Sequence, residues 1–258
     1  MNRLAIVAAG VLLAGMSSSA WASSVTFGQF TQKQATRVFR YKNLDSGINK
    51  AAEIYTTTPA LSGPTANAHA SIPVYYILSG GSLPLDLQGA QDAALSADFF
   101  ATSGTTGSGS SRVQMFATGS ITITRTTAAL EGLNTRTNLL TVTFTNAELD
   151  ASQNNGSFTF KSNSNSAITY TSDFMNFSNV LTKDFSLSFS GANPKFNAPL
   201  GSSSVNTRFS GTGTFASDPA PITIGVPEAS TWAMLMIGFG VVGAALRTGR
   251  RSKDLFAA

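Results

Sequence analysis

The chain offers a single histidine for acid–base or nucleophilic chemistry. His69 stands in the run Asn67-Ala68-His69-Ala70, which is typical of a loop. A Ser-His-Asp triad needs a histidine to accept the serine proton, so any triad here would have to use His69. The Gly-x-Ser-x-Gly turn of many hydrolases is absent, and the run from Gly104 to Gly109 resembles it only loosely. We therefore predict that the protein is not an enzyme.

Acidic side chains are the other candidates for chemistry. Glu148 and Asp150 lie two residues apart in a predicted strand, which places both side chains on one face. Glycosidases need two carboxylates at a defined separation across a sugar, and acids near a turn are more often simply solvated. Asp86, Asp92 and Asp98 are more widely spaced, and no dense run of Asp and Asn provides a calcium loop. No metal site and no cofactor are predicted.

The C-terminal stretch has the clearest pattern in the sequence. Fifteen residues from Trp232 to Leu246 carry no charge, and Arg247, Arg250 and Arg251 follow them. As a helix this run covers about 22 Å, slightly less than a comfortable bilayer span. Tryptophan is typical of a membrane–water interface, and arginines are typical of the cytoplasmic side. We predict a transmembrane helix over residues 231–246 with a basic stop; a buried core helix is the alternative.

The same stretch resembles a known sorting signal. Pro227-Glu228, Trp232-Ala233-Met234, the glycine-containing apolar run and the Arg250-Arg251 end resemble the PEP-CTERM signal in its PEPxxWA form. The resemblance implies export from a Gram-negative cell and recognition by an exosortase, with Pro227, Glu228 and Trp232 as recognition residues. It further implies release to the cell surface or extracellular matrix, often in makers of exopolysaccharide and biofilm. One residue departs from the motif, since Ala229 stands where the family has a second proline.

The N-terminus has the three-part build of a secretory signal peptide. Arg3 gives a positive start, an apolar run follows from Leu4 to Met16, and Ala20 and Ala22 supply small residues at a cleavage point. We predict cleavage after Ala22 by signal peptidase, following delivery through the Sec translocon; an uncleaved anchor is the alternative. The signal sends the chain outward and the tail keeps its arginines inside, so both ends indicate one orientation across the inner membrane.

The net charge of +4 belongs mostly to these two ends. Residues 23–226 contain twelve basic and eleven acidic residues, a net charge of +1. The basic character therefore does not indicate a nucleic-acid partner. A sparse basic group, in which a solvated strand face is favoured over an anionic glycan site, consists of Lys33, Arg37, Arg40, Lys42 and Lys50. The chain lacks cysteine, so the exported body has no disulfides and must be stabilised by its core.

Between the two ends the chain has the pattern of an all-β protein. Short runs of alternating apolar and polar residues recur between turn-like clusters, and Leu140 to Thr145 is the clearest of them. The run Ile72–Leu78 is more continuously apolar, which predicts a strand buried on both faces. Many short strands separated by turns indicate an antiparallel sandwich or barrel, and we predict a jelly-roll-like antiparallel β-sandwich.

These observations combine into one layout and three functional hypotheses. We expect a signal peptide at 1–22, a β-sandwich at 23–217, a proline-rich linker at 218–225 and a sorting signal at 226–253. The favoured hypothesis is a non-catalytic structural or adhesive protein of the envelope or biofilm. The alternative is a glycan-binding module of the exopolysaccharide matrix that uses Tyr75 and Tyr76. A remote third is ice binding through the threonine pairs at 122, 124, 141 and 143.

Overall fold

The computed structural model describes residues 24–44, 52–59, 68–79, 83, 85–126, 136–223 and 236–239. The elements among the described residues of 24–223 are strands, apart from one short 3-10 helix, η1. In chain order they are β1 Val25–Gln32, β2 Phe39–Asn43, β3 Ala52–Thr56, β4 Ile72–Leu78, η1 Leu85–Leu87, β5 Ala90–Ala101, β6 Ser111–Arg125, β7 Asn138–Ser152, β8 Phe158–Lys161, β9 Ala167–Thr171, β10 Met175–Asn176, β11 Thr182–Asn193, β12 Thr207–Asp218 and β13 Ile222–Thr223. The prediction of an all-β antiparallel fold is confirmed.

Eleven of these strands form one sheet that closes on itself. Three positions in the sheet are each occupied by two short strands. β1 and β2 both pair with one side of β12, β4 and β3 with one side of β5, and β8 and β9 with one side of β7. The order around the ring is β12, β1/β2, β4/β3, β5, β6, β7, β8/β9, β11 and back to β12. Every pairing is antiparallel, so the chain winds up and down through successive neighbours.

The jelly-roll prediction is therefore wrong in its connectivity. A jelly roll is built from Greek keys, in which the chain crosses over to a non-adjacent strand, within two packed sheets. Here the strands β5, β6, β7, β11 and β12 are 12 to 15 residues long. Because sheets of long strands twist and coil, a single sheet can curl until its edges pair and its inner face is covered. Short alternating runs in the sequence are compatible with either arrangement.

Phenylalanine rings fill the interior. Phe160 of β8 stacks on Phe99 of β5 with aromatic ring centroids 4.6 Å apart, although β6 and β7 lie between these two strands in the sheet. The rings of Phe116 and Phe144 also contact the Phe160 ring, with centroid distances of 5.1 and 5.5 Å. Gly119 makes room for this cluster, because a Cβ atom there would lie 2.2 Å from the Phe144 ring. The core is thus made of matched large and small residues across neighbouring strands.

The burial patterns of β4 and β7 differ from the sequence pattern in opposite ways. The prediction that Ile72–Leu78 is buried on both faces is wrong, since Pro73 and Tyr75 are exposed while their neighbours are buried. Conversely, Leu139 and Leu140 are adjacent and both buried. The register between β6 and β7 shifts at this point, and such a bulge lets two successive side chains avoid the outer face.

The first part of the predicted linker is attached to the folded body. Asp218 is the last residue of β12, and β13 pairs with β10 through Met175 opposite Thr223 and Asn176 opposite Ile222. Residues 224 and 225 lie outside the described residues. The chain therefore remains in contact with the sheet up to Thr223, five residues further than the start of the predicted linker.

Candidate functional site

The predicted sorting and cleavage residues lie outside the described residues. This applies to Ala20 and Ala22 of the signal peptide and to Lys50 of the basic group. It also applies to the C-terminal residues Pro227, Glu228, Trp232, Arg247, Arg250 and Arg251. Of the predicted transmembrane helix at 231–246, only residues 236–239 are described, and they are helical. Among the described residues, no helix has both the length and the apolar character that a membrane crossing requires.

His69 lies on the outer face of the sheet, against Tyr55 of β3. The segment that carries it is held to β3 by hydrogen bonds from Ala70 N to Thr56 O, 3.0 Å, and from the Thr57 hydroxyl to Ala68 O, 2.8 Å. The imidazole stacks on the Tyr55 ring with centroids 4.1 Å apart and planes within 4°. Tyr55 is 1% exposed although it points outward, so this contact helps to cover it. The orientation of the imidazole is consequently fixed.

Two carboxylates flank the imidazole. The Nε2 atom of His69 lies 2.9 Å from Glu53 Oε1, and its Nδ1 atom lies 3.8 Å from Asp98 Oδ2. Strand register explains the convergence: Glu53 and Tyr55 alternate outward on β3, and Asp98 of β5 is directly opposite Tyr55. One ligand atom from each of the three residues lies within 4.8 Å of the other two. We call Glu53, His69 and Asp98 the His69 cluster.

The His69 cluster borders an open groove of about 310 Å³. Besides Glu53 and Asp98, its walls are formed by Phe100 of β5 and by Thr118, Gly119 and Ser120 of β6. Phe100 is 40% exposed, which gives the groove an apolar wall beside its two acids. A groove of this composition offers hydrogen-bond acceptors, hydroxyls and one aromatic ring to a ligand on the outer surface.

The other acidic candidates form ion pairs with neighbouring bases. Glu148 and Asp150 do point to one face, as predicted, and share Lys161 of β8 at 3.3 and 3.8 Å. Asp92 pairs with Lys33, and Asp86 pairs with Arg125 at 3.1 Å in a largely buried ion pair. These pairings favour a structural role for each of the four carboxylates.

Three residues of the predicted basic group, Lys33, Arg37 and Lys42, are individually engaged, whereas Nη1 of Arg40 is buried without a hydrogen-bond partner among the described residues. Lys33 pairs with Asp92 and lies 4.6 Å above the Tyr75 ring, while Lys42 lies 3.8 Å from Glu53. Arg37 donates from Nε to Gly191 O of β11. This arrangement fits a solvated strand face better than a concentrated anion site.

The two tyrosines proposed for glycan contact face opposite ways. Tyr75 is 47% exposed on the outer face of β4, whereas Tyr76 is fully buried in the core. The Tyr76 hydroxyl has no hydrogen-bond partner among the described residues, and burial raises its pKa well above the ordinary tyrosine value. Tyr76 is therefore a core residue, and of the two only Tyr75 is accessible to a ligand on the outer face.

The threonine pairs predicted from the sequence join into rows across strands. Thr122 of β6 is opposite Thr141 of β7, which is opposite Thr171 of β9. A parallel row two residues further along contains Ser120, Thr143 and Thr169. Neighbouring strands lie about 4.8 Å apart and side chains of one face repeat about every 6.8 Å along a strand. The result is a two-dimensional array of hydroxyls on the outer surface.

A family model for the PEP-CTERM protein-sorting motif matches residues 225–251, at the C-terminus of the sequence. The chain carries a PEP-CTERM sorting motif. The match begins two residues before the Pro227-Glu228 pair and ends at Arg251, in agreement with the resemblance inferred from the residues. No curated protein and no solved structure shows a significant match to the chain.

The PEP-CTERM motif is much easier to recognise in the sequence than the His69 cluster. The motif is a continuous stretch of about 27 residues, so its order of residue types can be read directly. The His69 cluster joins residues 53, 69 and 98, and Glu53 was not selected as a candidate. The sequence contains a weak indication of this cluster. Strand alternation places Glu53 outward, and a lone histidine follows in the connection after β3.

Proposed function

We propose that the protein is exported, anchored briefly in the inner membrane by its C-terminal segment, and processed there by an exosortase. The observation that carries the proposal is the PEP-CTERM motif at residues 225–251, which implies sorting of an exported protein with exosortase as the processing partner. In this reading Pro227, Glu228 and Trp232 are recognised, the apolar run gives transient retention, and Arg250-Arg251 stops transfer. The mature product then reaches the cell surface or the extracellular matrix.

We further propose a non-catalytic structural or adhesive role for the folded body, residues 24–223. Its interior is filled by aromatic and aliphatic side chains, so contacts with other molecules would use its outer face. That face is rich in hydroxyl and amide side chains on strands β6, β7 and β9. Such a closed sheet, held by packing without disulfides, suits a module displayed in an envelope or biofilm.

Sorting is tested by single substitutions in the motif. We expect Trp232→Ala and Glu228→Ala to keep the protein in the membrane fraction at its unprocessed mass, because an exosortase would no longer recognise it. Ser230→Ala, at a variable position of the PEPxxWA form, is the matched control and should leave release unchanged. Ala229→Pro restores the family residue and should release the protein at least as fast as wild type. Equal release of all four variants would contradict exosortase recognition.

Glycan binding is the second candidate function. The observation in its favour is the pair of exposed aromatic rings, Tyr75 at 47% and Phe100 at 40%, each beside charged or polar side chains. Aromatic rings with adjacent hydrogen-bonding groups are a common way to bind planar faces of ligands. Binding to exopolysaccharide that is lost in both Tyr75→Ala and Phe100→Ala would support it, whereas binding unaffected by either change would exclude these rings.

Ice binding remains a third and more remote proposal. It draws on the two hydroxyl rows through Thr122, Thr141 and Thr171 and through Ser120, Thr143 and Thr169. A bulky residue in the centre of the array, as in Thr143→Tyr, should abolish any inhibition of ice recrystallisation. Wild-type protein without such inhibition would end this proposal.

A further inference from the structure

We propose that the His69 cluster binds one divalent transition-metal ion of the zinc type. The cluster provides one imidazole and two carboxylates from three separate segments: β3, the connection before β4, and β5. Zn²⁺ and related first-row transition-metal ions accept imidazole nitrogen and carboxylate oxygen as ligands in one site. This inference concerns the folded body alone and does not depend on how the C-terminus is sorted.

The geometry requires the Asp98 side chain to turn, because Glu53 lies beside Nε2 of His69 and Asp98 lies beside Nδ1. The three potential ligand atoms lie within 4.8 Å of one another, and Zn²⁺ holds nitrogen and oxygen ligands at about 2.0–2.2 Å. Glu53 and His69 are already in contact at 2.9 Å. The Asp98 side chain is 53% exposed, so it has room to turn toward an ion placed beside Nε2 of His69. An ion would thus replace the direct contact between the imidazole and Glu53.

Much of the site is organised before any ion arrives. The Tyr55 stack fixes the imidazole plane, and the hydrogen bonds of Thr57 and Ala70 fix the segment that carries it. Glu53 is only 14% exposed and is held by its position in β3. Ligands that are rigid when unbound lose little conformational entropy on binding, which favours affinity. Asp98 is the one ligand that would have to become ordered.

The charge around the site is mixed. Two carboxylates approach the imidazole, Lys42 lies 3.8 Å from the second oxygen of Glu53, and Arg40 of β2 is paired opposite Tyr55. A divalent ion would be attracted by the two acids, and Lys42 is 43% exposed and free to turn toward water. The ion's remaining positions would open toward the groove beside Phe100 and Ser120, where water or a ligand oxygen can complete its coordination.

The imidazole distinguishes the expected ion from calcium or magnesium. Those ions take oxygen ligands, and Mg²⁺ keeps several waters, so neither gains from His69. The site should therefore prefer Zn²⁺ or Ni²⁺ over Ca²⁺. No thiolate takes part, because the chain has no cysteine.

The test is Zn²⁺ binding to the full chain, purified in mild detergent with an affinity tag that contains no histidine. Titration calorimetry should give one Zn²⁺ per chain, and the ion should raise the melting temperature; Ca²⁺ should do neither. X-ray absorption at the zinc edge should show nitrogen and oxygen ligands at about 2.0–2.1 Å, including one imidazole. This spectrum reports the ligands directly and does not depend on any variant.

Three substitutions then locate the site. His69→Phe keeps a ring on Tyr55 but removes both nitrogens, and Asp98→Asn keeps the shape of the side chain; each should weaken Zn²⁺ binding about tenfold or more. Asp92→Asn is the matched control, since Asp92 is an exposed acid on the same strand that pairs with Lys33. It should bind Zn²⁺ like wild type. Absence of saturable binding in the wild-type protein, or equal affinity in wild type and His69→Phe, would overturn the proposal.

Discussion

Replacing Phe160 with alanine should lower the free energy of unfolding by about 3–5 kcal/mol, the range for deleting a large buried aromatic side chain. Phe160 is fully buried, and its ring meets four others: Phe99, Phe116, Phe144 and Phe185, at centroid distances of 4.6, 5.1, 5.5 and 5.8 Å. These rings belong to four different strands, β5, β6, β7 and β11, so their positions leave little freedom to collapse into the space. Denaturant unfolding of the purified chain should show a lower midpoint with an unchanged slope.

Phe100→Ala is the matched control for this change. Phe100 is the same residue type on β5, directly after Phe99 of the aromatic cluster, but it points outward and is 40% exposed. We expect a loss of about 0.5–1 kcal/mol, as for a partly exposed side chain. Similar losses for Phe160→Ala and Phe100→Ala would mean that the aromatic cluster does not stabilise the closed sheet.

Alkaline pH should unfold the protein steeply, because three tyrosines are buried in the neutral form. Burial raises the pKa of Tyr41, Tyr76 and Tyr170. Tyr170 raises the pKa of Tyr76 further, and Asp184 raises the pKa of Tyr170 further. In the unfolded chain tyrosine ionises near pH 10. The stability that these groups provide is therefore complete below about pH 10 and is lost as pH rises from there through the folded pKa values. Each contributes a slope of about 1.4 kcal/mol per pH unit in that window.

The contribution of a single tyrosine can be isolated. Tyr76→Phe should reduce the alkaline slope by about one such unit, and it also removes a hydroxyl that has no hydrogen-bond partner among the described residues. Tyr75→Phe changes the adjacent residue, which is 47% exposed, and serves as the control. Stability measured by denaturant unfolding between pH 9 and pH 12 gives both slopes. An unchanged slope in Tyr76→Phe would contradict the assignment of this buried hydroxyl as a titrating group.

Local strand positions could be predicted from the sequence because alternation is a local property. The run predicted at 72–78 coincides with β4, and the 140–145 alternation lies within β7. Connectivity was predicted wrongly because it depends on how far long strands coil, which no single run reveals. The β10–β13 pair was missed for a related reason: two-residue strands have no measurable period, and their pairing joins residues 175–176 to 222–223.

The two candidate sites also differ in how far they could be predicted from the sequence. The sorting signal depends on the order of residues in one stretch, and the sequence contains all of it. The His69 cluster depends on the register between β3 and β5, which places Asp98 opposite Tyr55, and on a segment folding back over that tyrosine. Register is set by the closed sheet as a whole. Glu53 is separated by 16 residues from His69 and by 45 from Asp98, so strand alternation indicates its outward position but not its two partners.

The most direct test of exosortase sorting is the mass of the C-terminal peptide, measured for protein recovered separately from the membrane, the cell surface and the culture medium. We predict that surface and medium protein ends near Pro227-Glu228, without the apolar run and the Arg250-Arg251 end, while the intact terminus at Ala258 occurs only in the membrane fraction. A terminus that remains intact at Ala258 in every fraction would contradict the proposal and would leave the motif as a simple membrane anchor.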